Sequence, residues 1–208
     1  MTVTLQLPGT DMLWRSGDPP LRVQIERERH VLARIAAGHA LPDVLQELLG
    51  DVEASAKSRM KTSILQLSDD GEHLWHLAGP SLPSTYTSAI DGVRIGEGMG
   101  SCGTVIYRGA PVYVSDIASD PLWASYSDLA LEHGLHACWS TPIRGMDGAI
   151  LGTFAMYYDA PCAPAPHDLG SIAGITLIVA LAIERHRANL QLRRIGDELA
   201  ALKAEMER

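Results

Sequence analysis

The glycine-dense stretch Gly96-Glu97-Gly98-Met99-Gly100-Ser101-Cys102-Gly103-Thr104 holds the residue types best suited to binding or reaction. Successive glycines let backbone N–H groups converge. A helix starting at Ser101 or Cys102 would aim about half a positive charge at the same point. Ser101 and Thr104 add hydroxyl donors, so the stretch reads as a cradle for a small oxyanion. The same residues also make a tight strand-to-helix turn with Ser101 as its cap. No lysine follows the last glycine, which excludes a Walker loop. Cys102 would stand at a helix N-terminus, where a thiol loses its proton more readily. Cys138 lies in an apolar strand and reads as a small core residue, and Cys162 lies in a proline-rich linker.

Four aromatic residues, Trp75, Trp123, Tyr126 and Trp139, are candidates to wall a cavity, where a ligand can satisfy an indole N–H. Ordinary core and rim packing is the competing account. Cys138 and Trp139 are neighbours on a strand and so face opposite sides. Alternation leaves open which of them meets the ligand. The histidine pairs His73/His76 and His133/His136 have no carboxylate or cysteine at ligand spacing, so no metal site is expected. His136, at a strand start, joins the pocket set. No Ser/His/Asp order, HExxH or paired carboxylates occur, so no catalytic residues are expected.

The elements that must position these residues follow from hydrophobic period. Residues Arg22 to Ala37 and the stretch from Leu41 with Val44, Leu45, Leu48, Leu49 and Val52 are helical. Thr62 to Leu67 and His73 to Leu77 flank an Asp-Gly turn and form a hairpin. A short helix at Ser84 to Ile90 and a strand at Val93 to Ile95 lead into the glycines. A helix to Arg108, a strand at Pro111 to Val114, an irregular Asp116 to Tyr126 and a helical turn at Asp128 to His133 follow. Ala137 to Ile143 and Ala149 to Tyr158 form a second hairpin, and from His167 one helix runs to the end. Hairpins imply an antiparallel sheet, and helices gathered at the chain ends cover one of its faces. The fold class is α+β.

The 208 residues carry 17 basic and 25 acidic side chains, a formal net charge of -8. That balance offers no footprint for nucleic acid or an anionic membrane. Three cysteines make no secreted disulfide framework, and the N-terminus has no signal peptide, so a cytoplasmic protein is expected. The apolar run Ile172 to Ile183 is shorter than the roughly 20 residues a bilayer needs and reads as a buried helix face.

Several of these segments, in this order and spacing, resemble the GAF domain of bacterial signalling proteins. They are Gly100 to Thr104, Val112 to Ala118, Asp120-Pro121-Leu122-Trp123, Gly134 to Ile143 and Leu151 to Ala155. Upstream, Ala78 to Pro83, Tyr86 and Ala89 to Gly92 also fit. The resemblance covers about residues 25 to 188. It implies an antiparallel sheet with the N- and C-terminal helices packed on one face and a ligand pocket on the other. It also implies a small ligand, a homodimer, and an output kinase or cyclase domain in the same or a partner chain. Some similar small receptors bind nitrate through a helix N-terminus, which adds weight to an anion. No bilin-attachment cysteine and no cyclic-nucleotide signature is present. The alternatives are a dimerisation relay without ligand and a thiol reductase of methionine sulfoxide built on pocket cysteines.

On this reading residues 1–20 are a loose arm, 21–188 the sensory domain and 189–208 a coiled-coil signalling helix. Leu181, Ala188, Leu192, Ile195, Leu199, Leu202 and Met206 keep a three-four spacing through a charged stretch, which predicts a parallel coiled coil. The abrupt end at Arg208 suggests a cut from a longer protein or a short chain ending in a dimer stalk.

Overall fold

The computed structural model of the chain describes residues 21–56 and 59–206. The expected arm at 1–20 lies outside the described residues. Apolar periodicity becomes helix where expected, at α1 (Leu21–Ala36) and α2 (Leu41–Ser55). In α2 a proline opens the first turn, Asp43 complements the helix dipole, and Leu41, Val44, Leu45, Leu48, Leu49 and Val52 are all buried. An ion pair from Arg34 to Glu47, 2.8 Å, ties α1 to α2.

Six strands follow: β1 (Met60–Leu67), β2 (His73–Ala78), β3 (Val93–Arg94), β4 (Val112–Val114), β5 (Ala137–Arg144) and β6 (Ile150–Tyr158). They form one antiparallel sheet in the order β3-β2-β1-β6-β5-β4. Between strands lie α3 (Ser84–Ile90), α4 (Gly100–Arg108), a 3-10 turn at Pro121–Trp123 and α5 (Ser127–Glu132). The last helix, α6 (Pro166–Met206), spans 41 residues.

Both faces of the sheet are covered, so the central strands alternate between two cores. Phe154, Met156 and Tyr158 of β6, with Trp139 of β5, join α1, α2 and α6 in the first. Ala155, Tyr157 and Cys138 point the other way, under α3 and α4, into the second. Segment Asp168–Lys203 of α6 is long and apolar enough in composition to cross a bilayer. In the fold its Ile172, Ile175, Ile178, Val179 and Ile183 are buried in the first core.

A pH dependence arises at the β2–α3 junction. The His76 backbone N–H donates to Asp91 Oδ1 at 2.7 Å, and the His76 Nδ1 is buried with no hydrogen-bond partner among the described residues. Burial holds the His76 imidazole below its usual pKa, with Asp91 opposing. The unfolded chain therefore takes up this proton first, and stability falls as pH drops from 7 through about 6.5 and below. Urea midpoints at pH 7.5 and 5.5 should differ more for the wild type than for His76→Gln. Equal differences would remove His76 from the effect.

Candidate functional site

Gly100 has φ of +61°, which lets the chain swing from β3 into α4 at a point where a side-chain-bearing residue would be strained. That turn delivers the first turn of α4 onto β5 and β6, inside the second core. Ser101 and Thr104 are fully buried, and Cys102 nearly so. Beneath this turn lies a cavity of about 30 Å³, room for one or two water-sized molecules. Its floor is Leu65 of β1 and Tyr157 of β6, and α3 contributes Tyr86 and Ile90. Its roof is Met99, Gly100, Ser101 and Cys102, and its outer wall is Trp123, Tyr126 and Leu129. The half-buried Met99 and Tyr126 meet at the rim, where the Tyr126 hydroxyl donates to Met99 Sδ at 3.3 Å.

Hydrogen bonds hold the roof to the sheet. Trp123 Nε1 donates to Ser101 Oγ at 2.9 Å, and Ser101 Oγ donates to the Cys138 carbonyl at 3.3 Å. Thr104 Oγ1 donates to the Gly96 carbonyl at 3.4 Å. Both hydroxyls that an anion cradle would draw on thus already donate to backbone carbonyls.

The structure brings together four of the nine residues expected at the pocket: Ser101, Cys102, Trp123 and Tyr126. The other five lie elsewhere. Trp75 is 51% exposed on β2, its ring laid against Gly92. Gly103 packs on the Arg94 carbonyl and Met99, on the side of α4 facing the preceding loop. Thr104 faces Gly96 in that same loop. His136 is half-buried at the start of β5, where its backbone bonds Tyr158 and Ile117. Trp139 points into the first core, with Nε1 donating to the Cys162 carbonyl at 3.1 Å and its ring 4.4 Å from that of Tyr158. Of the adjacent pair it is therefore Cys138 that faces the pocket side.

Sequence reasoning missed Leu65, Ile90, Val93, Met99, Leu129 and Tyr157 as lining residues, and gave Tyr86 no pocket role. Register would have found one of them, because Tyr157 is the cross-strand partner of Cys138.

The site's titratable groups are packed together. The Tyr86 and Tyr157 rings meet edge to face at 5.9 Å, and burial pushes both phenols far up. Burial also pushes the Cys138 thiol up. The Cys102 thiol moves the other way: a hydrogen bond with the Cys138 thiol lowers it, aided by Ser140, Tyr157 and Thr153 and opposed by burial. Among the described residues no cluster of three or more His, Cys, Asp or Glu is placed to hold a metal.

Solved structures share this architecture. A domain attributed to a two-component sensor histidine kinase of Sinorhizobium meliloti 1021 superposes with a TM-score of 0.61 at 22% identity, covering 75% of this chain and 99% of that one. The free methionine-R-sulfoxide reductase of Neisseria meningitidis, solved with its substrate, gives 0.59 at 16% identity, covering 85% of this chain and 98% of that one. In sequence, the methyl sulfide methyltransferase-associated sensor of Methanosarcina acetivorans is 32% identical over 161 residues, 77% of this chain. The chain spans 16% of that relative's length. The family model of the GAF domain matches residues 38–184, which contain the whole sheet and the cavity. The chain belongs to the GAF domain family.

Proposed function

We propose that this GAF domain is a non-catalytic cytoplasmic sensor whose cavity beneath α4 takes a small, mainly apolar ligand with one polar atom. Its state passes through α6 of a homodimer to an output kinase or cyclase domain. The observation that carries this reading is the bond chain Trp123–Ser101–Cys138, which runs from the cavity wall through its roof to the sheet. A ligand that displaces Trp123 or Ser101 must alter how α4 sits on β5, and β5 is also packed by α6. Occupancy thereby biases one of two arrangements of the same elements. The far half of α6 supports the dimeric arm: Leu192, Ile195, Leu199, Leu202 and Met206 are exposed at three-four spacing. The small volume of the cavity, about 30 Å³, favours a ligand smaller than methionine sulfoxide.

Thermal unfolding tests the ligand. A binder present at 100 times its Kd adds about 2.7 kcal/mol, or about 5–10 °C in Tm for a chain of this size. We expect such shifts from small neutral molecules. We expect none from nitrate, nitrite, phosphate or small carboxylates, because the Ser101 and Thr104 hydroxyls are engaged. A flat response in both arms would leave a dimerisation relay. Truncation after Arg185 keeps the buried Ile172 to Ile183 and removes the exposed stripe. Sedimentation should then show self-association at least about ten-fold weaker, a loss of roughly 1.4 kcal/mol. An unchanged dimer would place the interface elsewhere.

A further inference from the structure

We propose that Cys102 and Cys138 form a reversible two-electron redox site whose oxidant is a hydroperoxide small enough to enter the cavity, the product being a Cys102–Cys138 disulfide. This rests on the sensory reading of the same cavity and adds to its neutral ligand a second signal, an oxidant.

Cys102 lines the cavity directly, and the space holds one or two water-sized molecules, which fits hydrogen peroxide. Ser140 Oγ donates to Cys102 Sγ at 3.5 Å, and the Tyr157 hydroxyl lies 4.0 Å from the same sulfur. Ser140 is itself fixed by a 2.5 Å hydrogen bond with Thr153 Oγ1. Such donors stabilise a thiolate in a place where burial alone would suppress it. Cys102 and Cys138 are both buried in the second core, and Ser140, which donates to Cys102 Sγ, lies two residues along β5 from Cys138 on the same strand face. Each thiol also shifts the other's proton affinity. The Cys138 main chain is already clamped to the roof by Ser101. The third cysteine, Cys162, packs against the first core, across the sheet from this pair.

The chemistry balances without a further reagent. The Cys102 thiolate attacks one peroxide oxygen; an S–O bond forms, the O–O bond breaks, and the leaving hydroxide takes up the thiol's proton as water. The Cys138 sulfur then attacks the Cys102 sulfur. An S–S bond forms, the S–OH bond breaks, and a second water carries off the Cys138 proton. Two thiols are oxidised by two electrons and one peroxide is reduced to two waters. A dithiol reductant reverses the step. Closing the bond draws the sulfurs to about 2.05 Å, which pulls the first turn of α4 onto β5. Oxidation thus acts on the same roof that a ligand would displace.

The test uses the full chain. It is exposed to hydrogen peroxide, its remaining thiols are alkylated under denaturing conditions, and intact mass and linked peptides are read. We expect two of the three thiols to vanish, a mass loss of about 2 Da, a Cys102–Cys138 linked peptide, and recovery with dithiothreitol. In Cys138→Ser, Cys102 should still be consumed, more slowly because the Cys138 thiol no longer lowers its pKa, and should end as a dimedone-trapped sulfenic acid. In Cys102→Ser, oxidation of Cys138 should slow at least about ten-fold. The proposal is overturned if all thiols survive excess peroxide in the wild type, or if every linkage involves Cys162. The wild-type mapping decides the matter even should a variant fail to fold. No disulfide, combined with Tm shifts from neutral ligands, would sink this proposal and leave the sensory reading standing.

Discussion

Gly152→Ala should leave little folded protein. Gly152 is buried on β6, paired with Gln66 of β1 on one side and Ile143 of β5 on the other. A Cβ added there would lie 2.2 Å from the Leu65 carbonyl oxygen and 3.1 Å from the Gln66 Cα. Both are main-chain atoms at the centre of the sheet, so neither can yield without parting β1 from β6. Overpacking a core with flexible neighbours costs about 1–3 kcal/mol. With main chain as the obstacle we expect about 4 kcal/mol or more, a large share of the roughly 5–15 kcal/mol a domain has. Gly50, inside α2, is the contrast: a Cβ there meets nothing within 4 Å. Gly50→Ala should stabilise by about 0.5–1 kcal/mol through helix propensity. Urea unfolding of both variants checks the pair, and a Gly152→Ala protein with the wild-type midpoint would refute the contact.

Gly103→Ala should act on the cavity roof. The Gly103 φ is not in the left-handed region, so its requirement is for space. A Cβ would meet Met99 Cβ at 2.6 Å and the Arg94 carbonyl at 2.7 Å. Relief requires α4 to lift from the loop, lengthening the 3.2 Å bond from Gly103 N to the Met99 carbonyl. We expect about 2–3 kcal/mol of lost stability, together with faster amide exchange in the first turn of α4. Gly98 has the opposite requirement: φ is +78° and the space beside it is open. Gly98→Ala should cost about 1 kcal/mol and leave α4 exchange unchanged. Equal costs, with equal exchange, would mean that the Arg94 carbonyl is not the obstacle.

Gly152 and Gly103 also show what the sequence carried. Both fall in stretches from which the family resemblance was read, and apolar period with turn residues placed the strands and most helix ends to within about two residues, while the 3-10 turn at Pro121–Trp123 sits in a stretch read as irregular. The cavity was harder to read. With both faces of β5 buried, alternation splits Cys138 from Trp139 but cannot orient either, and the larger residue turned toward the helices. Trp75 looked like a wall residue by type, yet it caps Gly92 on the outer part of the sheet. Leu65, Ile90 and Leu129 are ordinary aliphatic residues whose convergence depends on three-dimensional crossing alone. Ser101 was picked out as a donor to a ligand. The fold instead uses it as a relay between an indole and a carbonyl, a role that only the position of Trp123 reveals.

The order of the strands has a consequence for solubility. The long strands, β1, β5 and β6, with eight, eight and nine residues, lie inside the sheet, while its borders are β3 and β4, with two and three. An open border of paired length would be a template for another chain, and aggregation grows from such templates. Here β3 and β4 are themselves too brief to register a foreign strand, and where β2 runs on past β3 its His76 N–H is already taken by the Asp91 side chain. Pro111, just before β4, further blunts one side. The fold can therefore form a two-faced hydrophobic sheet without inviting fibrous growth.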